Sequence, residues 1–289
     1  MATSFTDYDV HRILNIRRLH SGFEVYYDDS FGFAGERHDF WELVFVIEGD
    51  LTVSADDRIY SLRRSDIIMH RPMEMHNLRV PAGGSAHLFI CSFECDDGIM
   101  SFFERGVFHL RQEQRDELIR LIEFMRSYTD GEQYKRANPI YMRPWNNSIY
   151  YSQAVAGRLE LLFLMMIDEA ERVRPVRGGD AELYNRAVQL LEERVGEQLS
   201  VPELARAVGV SLSKLNKLFA EYAGIGVHAY HIGIKIRAAA RMIEDGVSLS
   251  DISDRLGFNN RNYFSQTFKR ETGTSPAEYR RARQGRALR

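Results

Sequence analysis

Residues 252–281 read ISDRLGFNNRNYFSQTFKRETGTSPAEYRR, and this stretch decides how the C-terminal third of the chain folds. Gly257 separates two segments in which apolar residues recur at helical spacing. The second segment, residues 260–271, is predicted to bury one face, made of Tyr263, Phe264, Thr267 and Phe268. Two helices joined by a short glycine-containing turn form a helix-turn-helix unit.

The same pattern occurs once more, 48 to 49 residues earlier in the chain. Ser200 and Ser211 are predicted to cap a first helix through Val208 and a recognition helix to about Glu221. The positions that pair between the two units are mostly apolar or glycine, and they are Leu204/Ile252, Gly209/Gly257, Val210/Phe258, Leu215/Phe264, Phe219/Phe268, Gly224/Gly273 and Tyr230/Tyr279. One extra residue near Asn259 accounts for the change of offset. The repeat therefore predicts two equivalent small helical cores.

A helical segment from about residue 227 to residue 244 connects the two units. Its 18 residues span about 27 Å at a rise of about 1.5 Å per residue. With the widths of the two recognition helices added, this length approaches the ~34 Å between successive major-groove faces of duplex DNA. One chain is therefore predicted to contact two adjacent turns of a duplex from one side.

Residues 184–283 resemble the C-terminal region of the AraC/XylS family of bacterial regulators. The resemblance is carried by residues 252–258 and 263–281, and it covers about a third of the chain closely. It implies a homodimeric protein that binds double-stranded DNA and works with RNA polymerase to activate transcription. It implies no enzymatic activity and no cofactor.

Polar side chains on the outer faces of the two recognition helices are the predicted DNA contacts. Arginine can donate two hydrogen bonds to guanine, and asparagine or glutamine can pair in the same way with adenine. The resemblance places base reading on Arg261, Asn262 and Gln266. The other candidate contacts are Ser213, Lys214, Asn216, Lys217, Arg237, Asn260, Lys269 and Arg270. Of these, Lys269, Arg270 and Arg237 are expected at phosphates, where a contact holds the register without reading the sequence.

The first recognition helix departs from the family pattern. Its predicted inward face consists of Leu212, Leu215, Leu218 and Phe219. After this face the family usually carries basic residues, but this chain has Ala220 and Glu221. Because a negative charge near phosphate weakens binding, the second unit is expected to dominate the affinity, or the two half-contacts are expected to be unequal.

The N-terminal part has a different pattern. Short alternating runs broken by turn residues extend from about Phe23 to Phe93 and predict a small all-β barrel or sandwich. Two amphipathic helices at about residues 112–128 and 150–173 follow, and they would close the barrel or form the dimer interface. This part resembles the cupin-like ligand-binding barrel of many family members, and the resemblance is carried by residues 38–49, 66–68, 71–72 and 76.

The predicted fold class is α+β with two domains. Residues 1–174 would form the cupin-like effector-binding and dimerisation domain, and residues 180–289 the double helix-turn-helix domain, with a boundary rich in Pro and Gly between them.

The net charge of -3 divides unevenly: residues 180–289 carry 17 Lys and Arg against 13 Asp and Glu, which is +4, and residues 1–179 carry 21 against 28, which is -7. The C-terminal part is therefore the expected polyanion-binding part.

A group of polar residues in the barrel is the candidate sensor site. His38, Phe40 and Glu42 would share one face of a strand, and His76 would approach from another strand. Three interpretations stay open: the group lines a pocket for a small carbohydrate-like effector, it is a set of satisfied structural residues, or His38, Glu42 and His76 ligate a divalent metal.

Aromatic and histidine residues around this group carry further expectations. Trp41 and Trp145 could stack on a sugar ring, and Trp41 joins the predicted ligand-binding set. His70 and His87 are expected to have no role in the site. The signature of enzymatic cupins carries a second histidine where this chain has Phe40, which argues against catalysis.

The residues favour a ligand-responsive, sequence-specific transcription regulator, and the resemblance implies a carbohydrate or a related metabolite as its effector. A metal-dependent cupin enzyme fused to a DNA-binding domain is one alternative, and a DNA-binding protein whose barrel only dimerises is another.

No window approaches the roughly 18 uninterrupted apolar residues that a membrane-spanning helix needs, and the start of the chain lacks an export signal. A cytoplasmic protein that does not contact membranes is therefore expected.

Overall fold

The structure is a computed structural model, and it describes residues 9–104, 106–129, 139–142, 150–169 and 171–287. These residues form an N-terminal antiparallel sheet with two helices packed on it, followed by an all-helical part. The predicted α+β fold class is thereby confirmed. Within these ranges, no helix combines the length and the apolar composition needed to cross a membrane.

The sheet is built from β1 (Arg18–Asp28), β2 (Trp41–Ala55), β3 (Arg58–Arg63), β4 (Asp66–His70), β5 (His76–Arg79), β6 (Ser85–Glu94), β7 (Val107–His109), β8 (Ile140–Tyr141) and β9 (Glu171–Arg172). Its strand order is β8-β1-β6-β2-β4-β7-β9, with β3 and β5 paired to β2. All of these pairings are antiparallel.

Strand β2 is long because it pairs with different neighbours along its two halves. Its first half pairs with β4 and β6, and its second half pairs with β3 and β5. The register with β6 shifts between Val46 and Glu48, and Gly49 has a φ of 84°. A Cβ atom at Gly49 would lie 1.9 Å from the carbonyl oxygen of Ser85. Glycine is therefore required at the point where the strand bends.

Side-chain alternation along β2 divides the apolar residues between two cores. Val44 and Val46 belong to an interior core, whereas Leu43 and Phe45 belong to the core that includes α1 (Gln112–Ser127) and α2 (Tyr151–Glu169). Helical periodicity predicts ten inward positions, and nine of them are buried: Leu118, Leu121, Ile122, Met125, Val155, Leu159, Leu162, Phe163 and Met166. The tenth, Ile167, is partly buried, and Gln114, Glu117 and Tyr151 are buried as well. The second helix does not continue to residue 173 as predicted, because residues 171–172 pair with β7 as a strand.

The C-terminal part consists of α3 (Gly179–Glu193), α4 (Val201–Val208), α5 (Leu212–Tyr222), α6 (Val227–Glu244), α7 (Leu249–Arg255), α8 (Arg261–Thr272) and α9 (Pro276–Ala287). Two separate apolar clusters form the cores of the two helix-turn-helix units. Four of the paired positions are buried in both units, namely Leu204/Ile252, Leu215/Phe264, Phe219/Phe268 and Tyr230/Tyr279, whereas Val210 is only partly buried. Three residues separate α4 from α5 and five separate α7 from α8, which agrees with the longer second turn.

Two residues of the predicted inward faces are exposed instead. Leu212 retains 46% of its accessible surface and Tyr263 retains 39%. Leu212 is the first residue of its helix and lies ahead of the core that buries Leu215 one turn further on. Tyr263 lies one residue before the buried Phe264, and only part of its ring is covered, by Phe258 at 6.2 Å between ring centres.

The sheet and the helical part pack directly against each other. Ile59 and Met75 belong to the apolar cluster of the first helix-turn-helix unit, and Met73 belongs to that of the second. The Tyr184 hydroxyl donates a hydrogen bond to the backbone oxygen of Asp56 at 3.2 Å. Residues from β3 and from the turns of the sheet therefore complete the cores of the helical part.

Candidate functional site

Helices α5 and α8 occupy the recognition positions of the two helix-turn-helix units. The Ser211 side chain accepts a hydrogen bond from the backbone N–H of Lys214 at 3.1 Å, and the Asn260 side chain accepts one from Tyr263 at 2.8 Å. These caps satisfy a backbone donor in the first turn and define where each helix begins. Because one face of each helix is packed in an apolar core, the polar face projects into solvent.

The polar faces carry nearly all of the predicted DNA contacts. The exposed ones are Ser213, Asn216, Lys217, Asn260, Arg261, Asn262, Gln266, Lys269 and Arg270. Lys214 is partly exposed, and its ammonium group lies 2.5 Å from Asp180. Cationic groups next to amide groups are the chemistry that phosphates and base edges require.

Several of these side chains have partners within the protein. Arg261 donates to the hydroxyl of Ser250, and Arg270 lies 3.0 Å from Glu271. Exposed ion pairs contribute only about 0–1 kcal/mol, so DNA can replace such partners at low cost. The amide oxygen of Asn260 caps α8, which leaves its NH₂ group for an outside acceptor.

Arg237 does not occupy a phosphate-facing position, contrary to the prediction. It is only 6% exposed, and its guanidinium group pairs with Asp56 of the sheet and with Glu192 of α3. Helical spacing shows which residues of α6 share a face. The prediction failed because the spacing does not show that the sheet domain covers the face with Arg237. In this conformation its charge is directed towards the sheet domain.

Asp56 is the centre of a buried ion cluster between the two parts of the protein. It is 2% exposed, and it pairs with Arg71 at 3.0 Å as well as with Arg237. Burial alone would raise the pKa of Asp56, but the two guanidinium groups hold it below its usual range. In the sequence, Asp56 was recognisable only as a turn residue, and no local signal points to its partner 181 residues away.

Glu221 and Glu271 lie near the ends of the two recognition helices, where they pair with the sheet domain. Glu221 lies 3.3 Å from Arg79, and Glu271 lies 3.7 Å from Arg37. Glu221 is the acidic departure from the family pattern that was expected to weaken the first DNA contact. Its charge instead faces a cation of the sheet domain.

The predicted sensor residues converge, but not from the elements that the sequence indicated. Strand β2 begins at Trp41, so His38 and Phe40 lie in the preceding loop, and Glu42 lies on the strand. The Phe40 ring stacks on His38 with 3.9 Å between the ring centres. His76, the first residue of β5, completes the group as predicted.

Glu42 sits at the centre of this group, which we call the His38 cluster: Glu36, His38, Glu42 and His76. Ligand atoms of the four residues all lie within 4.8 Å of one another. Burial would raise the pKa of Glu42, but His38 and His76 hold it well below its usual range. Burial would lower the pKa of His76, but Glu36 and Glu42 raise it to about 10.

The sequence did not predict that one member of the cluster, Glu36, and one residue beside it, His70, lie at this place. Glu36 was not predicted; an isolated bridge between Glu36 and His76 brings it there. His70 was expected to have no role, but it is 1% exposed, stacks on His76 at 4.1 Å, and has Nδ1 2.9 Å from Glu74. Burial lowers its pKa well below the usual value. Neither residue belongs to a recognisable motif, and both are positioned by pairing between distant segments.

Trp41 lies on the other side of β2 from Glu42 and belongs to the core that includes α1 and α2. Its indole N–H donates to the carbonyl oxygen of Cys95 at 3.0 Å, and the residue is 4% exposed. It also borders a cleft of about 450 Å³ between the sheet and the helical part, together with Asp39, Arg71, Arg237 and Arg241. Trp41 therefore lies apart from the His38 cluster, although it was predicted to join the same ligand-binding set. Trp145 lies outside the described residues.

His87 lies in another ion cluster, on the sheet. Its Nε2 atom is 2.8 Å from the carboxylate of Glu24, which is fully buried and also pairs with Arg126 of α1. Burial would raise the pKa of Glu24, but Arg126 and His87 lower it. This group links the sheet to α1.

The chain matches two family models, a helix-turn-helix domain over residues 204–282 and an AraC-like ligand binding domain over residues 20–134. It is 22% identical to an uncharacterized HTH-type transcriptional regulator of Bacillus subtilis over 254 residues, which cover 84% of this chain and 77% of that one. It is 31% identical to the xylose operon regulatory protein of Escherichia coli over 96 residues, 33% of this chain but only 24% of that protein.

A solved structure gives a further match. This structure is a transcriptional regulator of the AraC-type DNA-binding class from Chromobacterium violaceum, and it is 30% identical in sequence. The match covers 34% of this chain and 88% of that one, with a TM-score of 0.33. With its ligand-binding domain followed by two helix-turn-helix units, the chain belongs to the AraC family of transcriptional regulators.

Proposed function

We propose that this protein is a ligand-responsive regulator that binds one DNA duplex with both α5 and α8. The observation that carries this proposal is that both helices present exposed amide and cationic side chains from equivalent places in a repeated unit. Helix α6, which connects the two units, has 18 residues and is therefore about 27 Å long; with the widths of the recognition helices added, this length approaches the ~34 Å between successive major-groove faces.

The two helices have different proposed roles along their length. Arg261, Asn262 and Gln266 read bases, because their side chains are exposed and can pair bidentately with guanine or adenine. Lys269 and Arg270, later in α8, contact phosphates and hold the register. In α5, Ser213, Lys214, Asn216 and Lys217 form the corresponding contacts.

The N-terminal residues 1–174 are the proposed effector-binding and dimerisation domain, and residues 180–289 the proposed DNA-binding domain. Helix α2 supports the dimer, because its outer face carries the exposed apolar residues Leu161 and Leu164 next to Gly157. An exposed apolar stripe on a helix is typical of a helix-helix contact between subunits.

The proposed effector is a carbohydrate or a related polar metabolite, and the proposed output is activation through RNA polymerase. The name of the xylose regulator supports a sugar-related role for that protein, and we extend this class to the present chain. The cleft beside Trp41 offers an aromatic edge with arginine and carboxylate groups, which suits a polyhydroxylated ligand. Because residues of both parts line it, binding there would shift the balance between two domain arrangements.

DNA binding by α8 is tested with an operator selected from a random duplex library by the wild-type protein. The Arg261→Ala and Gln266→Ala variants are each expected to lose about 1–3 kcal/mol of binding free energy and to relax preference at one base pair. Arg186→Ala removes an exposed arginine from α3 and serves as the matched control. If both α8 variants keep wild-type affinity and preference, α8 does not read the bases.

A further inference from the structure

We propose that the His38 cluster is a binding site for a divalent transition-metal ion, ligated by His38, Glu42, His76 and Glu36. The site is independent of the proposed DNA contacts. It draws on a loop, on strands β2 and β5, and on an isolated bridge, so only the folded sheet assembles it.

The spacing of the ligand atoms fits a shared ion better than direct hydrogen bonds. The Nε2 atom of His76 lies 3.5 Å from Oε1 of Glu42 and 3.6 Å from Oε1 of Glu36, and Nε2 of His38 lies 3.7 Å from Oε2 of Glu42. Hydrogen bonds between nitrogen and oxygen span about 2.7–3.2 Å. Two ligands of one ion, each about 2.0–2.2 Å from it, lie roughly 3.3–3.6 Å apart in tetrahedral geometry.

The hydrogen bonds at Nδ1 of the two imidazoles leave their Nε2 atoms available to bind an ion. Nδ1 of His38 lies 3.0 Å from the carbonyl oxygen of Phe40, and Nδ1 of His76 lies 3.1 Å from that of Glu74. A carbonyl oxygen only accepts, so each Nδ1 carries a proton, and Nε2 is the ring nitrogen whose lone pair would bind a metal once its own proton is released. Metal-ligating histidines commonly make such a hydrogen bond to a carbonyl oxygen through the ring nitrogen that does not bind the metal.

Both Nε2 atoms are buried without a hydrogen-bond partner. The His76 side chain is 1% exposed, and that of His38 is 12% exposed. Burying a polar atom without a hydrogen-bond partner destabilises the folded protein by about 1–3 kcal/mol, because the atom loses its hydrogen bonds to water and gains none in the protein. A cation bound between the two nitrogens and the Glu42 carboxylate would supply the missing partner.

The set of ligands indicates the class of metal. Two imidazoles with carboxylates suit zinc, iron, manganese, cobalt or nickel, whereas calcium and magnesium favour sites made of oxygen atoms alone. The Ser92 hydroxyl donates to Oε2 of Glu42 at 3.1 Å, which holds the carboxylate in place. Phe40 covers His38 with its ring where enzymatic cupins carry another histidine. The site therefore offers four protein ligands, and the Phe40 ring covers one of them.

The loop that supplies Glu36 and His38 also contacts the DNA-binding part. A Cβ atom at Gly35 would lie 2.3 Å from the carbonyl oxygen of Ala223, and Arg37 pairs with Glu271 of α8 at 3.7 Å. A metal ion bound by residues 36 and 38 would therefore restrain a segment that packs against both helix-turn-helix units.

The test uses the full chain, freed of metal with a chelator and then titrated with Zn²⁺ in a calorimeter, with metal content measured after gel filtration. The wild type is expected to bind a single ion per chain. His76→Gln and Glu36→Gln are expected to weaken binding about tenfold to hundredfold or more, whereas His87→Gln, a histidine outside the cluster, keeps wild-type affinity.

Glu36 keeps the experiment decisive if His76→Gln does not fold, because its side chain is 47% exposed and its replacement leaves the core intact. Circular dichroism checks the fold of each variant. Absence of Zn²⁺ from the wild type after gel filtration overturns the proposal, and so does equal affinity of Glu36→Gln and the wild type. Retained DNA binding in that case leaves the proposed regulator function untouched.

Discussion

Replacing Asp56 by asparagine should destabilise the contact between the sheet and the DNA-binding part more than any nearby change of the same kind. The substitution removes one negative charge and keeps the shape of the side chain. Asp56 has a positive φ of 49°, a conformation that asparagine also tolerates. The oxygen that accepts from the backbone N–H of Met75 at 3.2 Å is retained as well. The change therefore keeps the shape of the side chain but removes its charge and one acceptor, the oxygen that accepts from Arg71 at 3.0 Å.

The magnitude follows from the partners that are left behind. Breaking a buried ion pair by removing one member costs about 3–5 kcal/mol, because the other charge stays buried without compensation. Here Arg71 keeps Glu74 at 3.6 Å, and Arg237 keeps Glu192. Since both cations retain a second carboxylate, we expect the lower end of that range, about 3 kcal/mol.

The assay is urea unfolding of the full chain, with hydrogen exchange in α6 as the local readout. Asp57→Asn is the matched control: it removes the same charge one residue along, where the carboxylate only accepts a 3.4 Å hydrogen bond from Gln189. The control should lose less than about 1 kcal/mol. Equal losses of unfolding free energy in the two variants, or unchanged exchange in α6 of Asp56→Asn, would refute the role of this ion cluster.

Two further results are expected. The carboxylate of Glu24 has a lowered pKa in the folded protein, so its stabilisation is present above its ordinary pKa of about 4.5 and is lost as the pH falls below it. Glu24→Gln should therefore flatten the fall of unfolding free energy between about pH 5 and pH 3, and curves parallel to the wild type would contradict this. Leu161→Glu should convert a wild-type dimer to monomer in sedimentation velocity, whereas Val176→Glu, at another exposed apolar residue, should not; a dimeric Leu161→Glu protein would show that α2 is not the interface.

Helix positions and their buried faces were predictable because they depend on residues three or four apart. The periodicity of α1 and α2 and the repeat of the two helix-turn-helix units identified side chains that are mostly buried; Leu212 and Tyr263 are exposed, and Ile167 and Val210 are partly buried. Ser200 and Ser211 act as N-caps as predicted, since a cap involves the backbone three residues further on.

The errors concern residues whose environment comes from distant segments. Arg237 looked like a phosphate contact because its own helix leaves it on an outer face, but a residue 181 positions earlier covers it. His70 had no motif and lies against His76 only because β4 and β5 both pair with β2. His38 and Phe40 were placed on a strand that begins only at Trp41.

The amino-acid sequence by itself determined the two-part organisation, the duplicated helix-turn-helix units and the polar side chains that their second helices expose. These features arise from local periodicity and capping, whose energetics involve neighbouring residues. Only the tertiary structure decided that Asp56 engages Arg237 and that Glu36, His38, Glu42 and His76 meet. The reason is physical: strand pairing and domain packing bring these charges together across long separations, and their burial then sets how they ionise and what they bind.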